Sequence, residues 1–185
     1  MLKRNFTVPV AAMMALLGLS APASAANNAI SEFRLGVYAH DSKLFGTGHE
    51  TRKPDINAEL LFSSPGWLSW IGAPRPAIGG NFNTHGGTSI AYADLAWDYY
   101  LTQALFLEGA LGGAIHNGNT SGDNNKDRDR MNYGCRAAFH EAGSVGYSFD
   151  GKSSLMLTVD HISNAGLCDR NPGLTDIGVR YGYRF

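Results

Sequence analysis

The chain has 185 residues, of which 44% are hydrophobic and 17% charged, and its 15 basic and 16 acidic side chains give a net charge of −1. A chain of this length can bury the core of one domain, and this composition excludes a disordered protein, a disulfide-dense mini-scaffold and a coiled coil. The balanced charge offers no basic surface to nucleic acid, so we expect no nucleic-acid partner.

The start of the chain has the three parts of a secretory signal peptide. Positive charges at Lys3 and Arg4 precede an apolar stretch and then a run of small residues that ends at Ala25. The apolar stretch is shorter than the roughly 20 residues that a transmembrane helix needs. The pattern therefore predicts a cleaved signal peptide over residues 1–25 and one exported domain over residues 26–185.

From residue 31 onward, short segments that alternate between apolar and polar residues are separated by turn-rich stretches. This two-residue period predicts an all-β protein. We expect eight strands, at residues 31–42, 54–63, 76–84, 88–100, 103–117, 131–149, 153–164 and 173–185. An even number of strands, with long polar links alternating with short ones, is typical of an antiparallel transmembrane β-barrel. A soluble exported β-sandwich would bury the same alternation and is the alternative.

The last predicted strand has two distinct faces. Its odd-numbered residues from Ile177 to Phe185 are apolar or aromatic, whereas its even-numbered residues from Asp176 to Arg184 are charged or glycine. The first face suits lipid and the second suits a barrel interior. A terminal Phe on such a strand resembles the assembly signal of outer-membrane proteins. We therefore expect the outer membrane of a Gram-negative bacterium, and recognition of Phe185 by the barrel-assembly machinery.

Two polar residues continue a face of the seventh strand that should meet lipid. Leu155, Leu157 and Val159 form the apolar part of this face, and His161 and Ser163 extend it towards the outer end. Side chains two residues apart on a strand point the same way and lie about 6.6 Å apart along it. A serine beside a histidine can act as nucleophile and base in acyl transfer. A pair that only hydrogen-bonds at the barrel rim fits the spacing equally well.

Two cysteines in an exported chain favour a disulfide over a metal site. The turn at residues 150–153 joins the sixth and seventh strands, and pairing outwards from its centre brings Cys135 opposite Cys168. Their bond would tie the loop that follows Ser163 to the sixth strand. Zinc would require more ligands at closer spacing, and we expect neither a metal nor a cofactor.

The segment from His161 to Leu167, followed by Asn171, Gly173 and the C-terminal strand, resembles the PagL-type lipid A deacylases. Proteins of this family are eight-stranded outer-membrane barrels that hydrolyse the ester-linked 3-hydroxyacyl chain at position 3 of lipid A. The resemblance implies a serine esterase embedded in the membrane. Its partners would be lipid A or lipopolysaccharide in the outer leaflet and the surrounding membrane lipid.

The resemblance also implies roles for individual residues. Ser163 would be the nucleophile and His161 its general base. Asn164 and the backbone of Gly166 would form the oxyanion hole. The chain departs from the family at Thr175, where the family has the Glu that orients the histidine.

Two carboxylates are candidates for the missing acid. Glu141 should lie across from His161 on the sixth strand, although an interfacial charge fits this position as well. Asp176 follows Thr175 and should face the barrel interior with Arg180, unless a bulge turns it outwards. Without an acid, the chain would be an esterase of reduced activity or an inactive family member that serves as a structural or lipopolysaccharide-binding barrel.

Overall fold

The alternating segments of the sequence form the strands of a closed antiparallel β-barrel in the computed structural model of the chain. The structure describes residues 29–46, 50, 53–123 and 127–185. The signal peptide predicted over residues 1–25 lies outside the described residues.

Eight strands follow one another around the barrel in chain order. They are β1 (Ile30–Ala39), β2 (Asp55–Phe62), β3 (Arg75–Asn83), β4 (Ile90–Tyr100), β5 (Leu105–His116), β6 (Ala137–Ser148), β7 (Ser153–Ser163) and β8 (Leu174–Arg184). β1 pairs with β8, with Val37 opposite Val179, and this pairing closes the sheet. The predicted eight-stranded barrel is therefore confirmed, and the sandwich is excluded because closure leaves no sheet edge.

Strand boundaries differ most from the prediction at the outer ends of β1 and β6. β1 ends two residues before Asp41, whose φ is 47°. The sixth strand was expected over residues 131–149 but begins at Ala137. Tyr133 is 3% exposed because it turns inwards at the barrel mouth, and Gly134 takes a left-handed φ of 81°. These residues belong to the β5–β6 loop because their backbone bends away from the sheet.

Charged side chains fill the end of the barrel interior that is nearer to the termini. Arg34 is fully buried and donates to Glu32 at 2.6 Å and to Glu59 at 2.9 Å. It also makes two bonds to Glu108, at 2.8 and 2.5 Å. Arg180 donates to Glu59 at 3.1 Å and to Glu108 at 3.0 Å. Removing one member of such a cluster leaves the others charged and desolvated, which costs more than the pair itself contributes.

The outward face of the barrel is apolar across its middle. Large exposed hydrophobic side chains occur on seven of the strands: Leu35, Val37, Ile56, Ile78, Phe82, Leu107, Ile115, Phe139, Val145, Leu155, Leu157 and Val179. Exposed aromatic side chains gather at the end that carries the C-terminus: Tyr147, Phe149, Tyr183 and Phe185. An apolar band beside an aromatic girdle is the surface of a transmembrane barrel.

A short 3₁₀ helix over Gly66–Ile71 lies between β2 and β3, at the same end as the termini. Its Trp67 and Trp70 are 71% and 81% exposed. Trp97 of β4 donates its indole N–H to the Ile71 carbonyl at 2.8 Å and so holds the helix against the barrel. Within the described residues, no helix is long and apolar enough to cross a membrane.

Replacing Arg34 with Met should destabilise the barrel because Glu32, Glu59 and Glu108 lose a shared cation. We expect the free energy of unfolding to fall by about 3–5 kcal/mol, measured by urea unfolding of the detergent-folded protein. Arg128→Met removes an exposed loop arginine and should change stability by less than about 0.5 kcal/mol. An Arg34 variant as stable as the wild type would contradict the role assigned to this cluster.

Candidate active site

His161 and Ser163 lie at the outer end of β7, on the side that faces away from the barrel interior. The residues between and before them point inwards, since Ile162 is 1% and Asp160 is 3% exposed. The antiparallel register sets His161 between Glu141 on β6 and Thr175 on β8. Four polar residues therefore interrupt an otherwise apolar outward surface.

The imidazole of His161 is held on three sides. Its Nδ1 lies 2.7 Å from Thr175 Oγ1. The Phe45 ring meets it edge-on, with the ring centroids 6.2 Å apart. Gly173 covers the third side, where an added Cβ would lie 2.8 Å from His161 Cε1, and its φ of 71° also favours glycine. The site therefore combines β7, β8 and the β1–β2 loop.

Ser163 is the last residue of β7 and pairs with Phe139 across the sheet. Its hydroxyl has no hydrogen-bond partner among the residues that the structure describes. Bonds between a nucleophile and its base are often long before substrate binds. No other hydrogen bond among the described residues therefore competes with His161 or a substrate for this hydroxyl.

The residues predicted to form the oxyanion hole hold the loop together instead. Asn164 donates its side-chain amide to the carbonyls of Tyr133 at 2.7 Å and Arg170 at 2.6 Å. Its own backbone N–H donates to Asn171 Oδ1, and Gly166 N–H donates to Asn164 Oδ1, both at 2.9 Å. The assignment of Asn164 and Gly166 as oxyanion donors therefore disagrees with the structure, in which their donors already have partners.

Two other donors next to Ser163 have no partner in the part of the chain that the structure describes. One is the backbone N–H of Ala165, which has a φ of 53° in the tight turn after β7. The other is Nδ2 of Asn171, whose Oδ1 is held by the Asn164 N–H. Both residues lie in the stretches that carry the family resemblance, Ala165 within His161–Leu167 and Asn171 just after it, but the sequence pattern assigns neither of them a role.

Of the residues considered for orienting His161, Thr175 is the one that contacts its ring. Glu141 lies directly across from His161 in the β6–β7 pairing, but no hydrogen bond joins the two side chains among the described residues. Asp176 is 1% exposed and points into the barrel. The role proposed for Asp176 would require it on the opposite face of β8, and no register shift interrupts the β7–β8 pairing there.

Asp176 belongs to a buried cluster at the outer end of the interior. It lies 3.6 Å from Nδ1 of His40, which is also 2.9 Å from Asp55. The expected pairing with Arg180 is wrong, because Arg180 binds the glutamates deeper in the barrel. One potential metal-ligand atom from each of His40, Asp55 and Asp176 lies within 4.8 Å of the other two. Both ring nitrogens of His40 already bond carboxylates, Nε2 bonding Glu50 at 3.1 Å, so His40 acts as a buried cation rather than as a free metal ligand.

Glu50 ties the outer loops together over the barrel mouth. It accepts hydrogen bonds from Thr88 N–H at 2.6 Å, Thr88 Oγ1 at 2.6 Å, Met131 N–H at 2.8 Å and Tyr133 Oη at 3.0 Å. Burial by itself would raise the pKa of Glu50, but hydrogen bonds from His40 and Thr88 lower it to about 2. Glu50, His40 and the loop groups bonded to them form a cap over the barrel mouth. Because the Tyr133 carbonyl accepts from Asn164, this cap also supports the turn that follows β7.

The charges of His40 and Glu50 should make the free energy of unfolding fall both at high pH and at low pH. Burial by itself would lower the pKa of His40, but hydrogen bonds to Asp55 and Glu50 raise it from 6.5 to about 10. The contribution of His40 is therefore complete below pH 6.5 and is lost as the pH rises towards 10. The pKa of Glu50 is lowered from 4.5, so its contribution is complete above pH 4.5 and is lost as the pH falls towards 2.

We therefore expect the cap to stabilise the protein most between pH 4.5 and 6.5. Urea unfolding at a series of pH values measures this dependence. Glu50→Gln should lower stability within that window and flatten the acid side of the profile, because the variant has no carboxylate there to protonate. An acid side that stays as steep in Glu50→Gln would contradict the assignment.

A disulfide joins Cys135 in the β5–β6 loop to Cys168 in the β7–β8 loop, with the Cα atoms 6.0 Å apart. The two loops also pack closely at Gly134, where an added Cβ would lie 2.6 Å from the Arg170 carbonyl oxygen. The bond and this contact together anchor the loop that begins directly after Ser163.

Replacing both Cys135 and Cys168 with Ser should lower the free energy of unfolding by about 3–4 kcal/mol, as chain entropy predicts for a loop of this length. Urea unfolding of the wild type and the double variant, with and without reductant, measures the loss. Reductant should lower the stability of the wild type alone. Equal stability of the oxidised wild type and the double variant would show that the bond does not stabilise the fold.

The fold and the site together define a transmembrane β-barrel that carries a serine and a histidine on its outer surface. Residues 66–184 match the family model described as Lipid A 3-O-deacylase (PagL). This match spans more than half of the chain, so the chain belongs to the PagL family.

Solved structures show the same fold. The crystal structure of the outer membrane enzyme PagL aligns with a TM-score of 0.58 and 18% identity, covering 84% of this chain and 100% of that chain. A structure from a study of de novo designed transmembrane β-barrels aligns with a TM-score of 0.53 and 10% identity, covering 85% of this chain and 96% of that chain. A comparison with curated protein sequences found no match.

Proposed function

We propose that this protein is an outer-membrane esterase that removes the ester-linked 3-hydroxyacyl chain from position 3 of lipid A. Its membership of the PagL family supports this activity and substrate. The observation that carries the proposal is the position of His161 and Ser163 on the outward face, at the outer end of β7. A lipid in the outer leaflet reaches that position from the side, whereas the barrel interior is filled by side chains.

The proposed reaction begins when Nε2 of His161 takes the hydroxyl proton of Ser163 and the serine oxygen attacks the ester carbonyl carbon. The bond to the sugar oxygen then breaks, and the imidazolium returns its proton to that leaving oxygen. Water then attacks the acyl-serine with His161 again as base, the bond between the acyl carbon and Ser163 Oγ breaks, and His161 returns the proton to Oγ as the 3-hydroxy fatty acid leaves. Ala165 N–H and Asn171 Nδ2 are the donors that we propose for the oxyanion.

The partners follow from the same proposal. Lipid A of lipopolysaccharide in the outer leaflet is the substrate, and membrane lipid surrounds the apolar band. We also propose that the barrel-assembly machinery recognises Phe185. Its side chain is 54% exposed, and its backbone N–H donates to the Ser31 carbonyl at 3.1 Å beside the closing strand pair.

Ser163→Ala should abolish deacylation because it removes the nucleophile and leaves the barrel intact. Purified lipid A is incubated with detergent-folded wild type and variant, and mass spectrometry measures loss of one 3-hydroxyacyl group. We expect a rate reduction of at least about 10³-fold. Ser153→Ala removes an outward-facing hydroxyl at the inner end of the same strand and should keep the wild-type rate.

Intact lipid A after incubation with folded wild type, alongside an active family member as positive control, would contradict the proposal. The protein would then be the alternative, a non-catalytic barrel that serves a structural or lipopolysaccharide-binding role. Retained activity in Ser163→Ala would instead show that another residue is the nucleophile.

A further inference from the structure

The hydrogen bonds around Thr175 determine which nitrogen of His161 carries a proton. Thr175 Oγ1 lies 2.7 Å from the Phe45 carbonyl oxygen and 2.7 Å from His161 Nδ1. A carbonyl oxygen can only accept, so the single hydroxyl proton of Thr175 is donated to Phe45. The hydroxyl oxygen must then accept from His161, which places the imidazole proton on Nδ1. Nε2 consequently keeps its lone pair and can accept a proton.

We propose that Thr175, backed by the Phe45 carbonyl, is the positioning residue that keeps His161 in its catalytic tautomer and orientation. The inference rests on the proposed esterase function for its role in catalysis. It assigns to a neutral hydroxyl and a backbone carbonyl the orienting role that a Glu has elsewhere in the family. Glu141 pairs with His161 across β6 and β7, but its side chain makes no hydrogen bond to the ring among the described residues.

Phe45 belongs to the β1–β2 loop, which packs against the start of β8 and the loop before it. Ser42 N–H donates to the Thr175 carbonyl at 2.7 Å. Gly46 has a φ of 108°, and an added Cβ would lie 2.7 Å from the Pro172 carbonyl oxygen. Thr175 is fully buried by this loop although it belongs to the outward face of β8. Contacts on both sides of Phe45 therefore place its carbonyl behind Thr175.

A neutral orienting group performs one of the two tasks of a catalytic carboxylate. It selects the tautomer and ring orientation, but it supplies no negative charge to stabilise the imidazolium that forms during the reaction. Removal of the Thr175 hydroxyl should therefore reduce kcat and leave KM nearly unchanged. The reduction should be about 10²-fold, which is at the lower end of what general base catalysis contributes.

The tautomer can be measured without any substrate. The full mature chain is folded in detergent with nitrogen-15-labelled histidine, and His161→Gln assigns the His161 signals by their loss. At a pH where His161 is neutral, we expect a protonated Nδ1 and an unprotonated Nε2. Thr175→Val should mix or reverse the two forms, and Thr175→Ser should retain the wild-type pattern. An Nε2-protonated wild type, or an unchanged pattern in Thr175→Val, would overturn the inference.

Kinetics test whether the tautomer matters for catalysis. Deacylation of lipid A should be slowed in Thr175→Val and largely restored in Thr175→Ser, with rates normalised to folded protein. Thr158→Val removes an equally buried hydroxyl from the barrel interior and is the matched control, which should keep the wild-type rate. A Thr175→Val enzyme with wild-type kcat would overturn the positioning role.

Labelling of Ser163 by a fluorophosphonate separates this inference from the proposed function. If the wild type leaves lipid A intact but Ser163 is labelled and labelling slows in Thr175→Val, the lipid A activity fails and the positioning role of Thr175 stands. If the wild type deacylates lipid A and Thr175→Val does so equally well, the proposed function stands and the inference fails. If Ser163 is not labelled in a wild type that also leaves lipid A intact, both fail.

Discussion

Closure of a two-faced sheet into a barrel gives each strand side chain one of two environments, the interior or the membrane. On β8, this alternation sends Asp176 and Arg180 inwards and Val179 and Tyr181 outwards. A polar residue on the outward face therefore requires a separate explanation, since it gains nothing from the interior network. The polar residues Glu141, His161, Ser163 and Thr175 at the outer ends of β6, β7 and β8 are such a case, and they surround the proposed chemistry.

Two buried clusters of charged side chains fill the barrel interior and hold the strands and loops that carry this surface. Arg34 and Arg180 neutralise a cluster of glutamates at one end, and the cluster around His40 and Glu50 closes the other. The two clusters differ in what they hold. The first joins strands to one another. The second joins the outer loops to the barrel, because Glu50 accepts hydrogen bonds from the β3–β4 and β5–β6 loops and its other partner, His40, bonds Asp55 of β2. The position of the loop after Ser163 depends on the second cluster through Tyr133.

Thr175 and the Phe45 carbonyl form a matched pair. A carboxylate at position 175 would have no proton to give to that carbonyl, and its charge would face an oxygen at close range. The β1–β2 loop in its present position therefore favours a hydroxyl at position 175. This explains in physical terms how the His161 ring is bonded at Nδ1 by a hydroxyl rather than by a carboxylate.

The sequence by itself determined the barrel, its faces and the outward pair His161 and Ser163, because a two-residue period needs only local information. It did not determine the partners of Asp176, the inward turn of Tyr133 or the bonds that occupy Asn164. Nor did it indicate that Phe45 would lie behind Thr175, 130 residues away along the chain. Only the tertiary structure decided these contacts, because they form between loops and strand ends that barrel closure brings together, where no periodic pattern constrains which atoms meet.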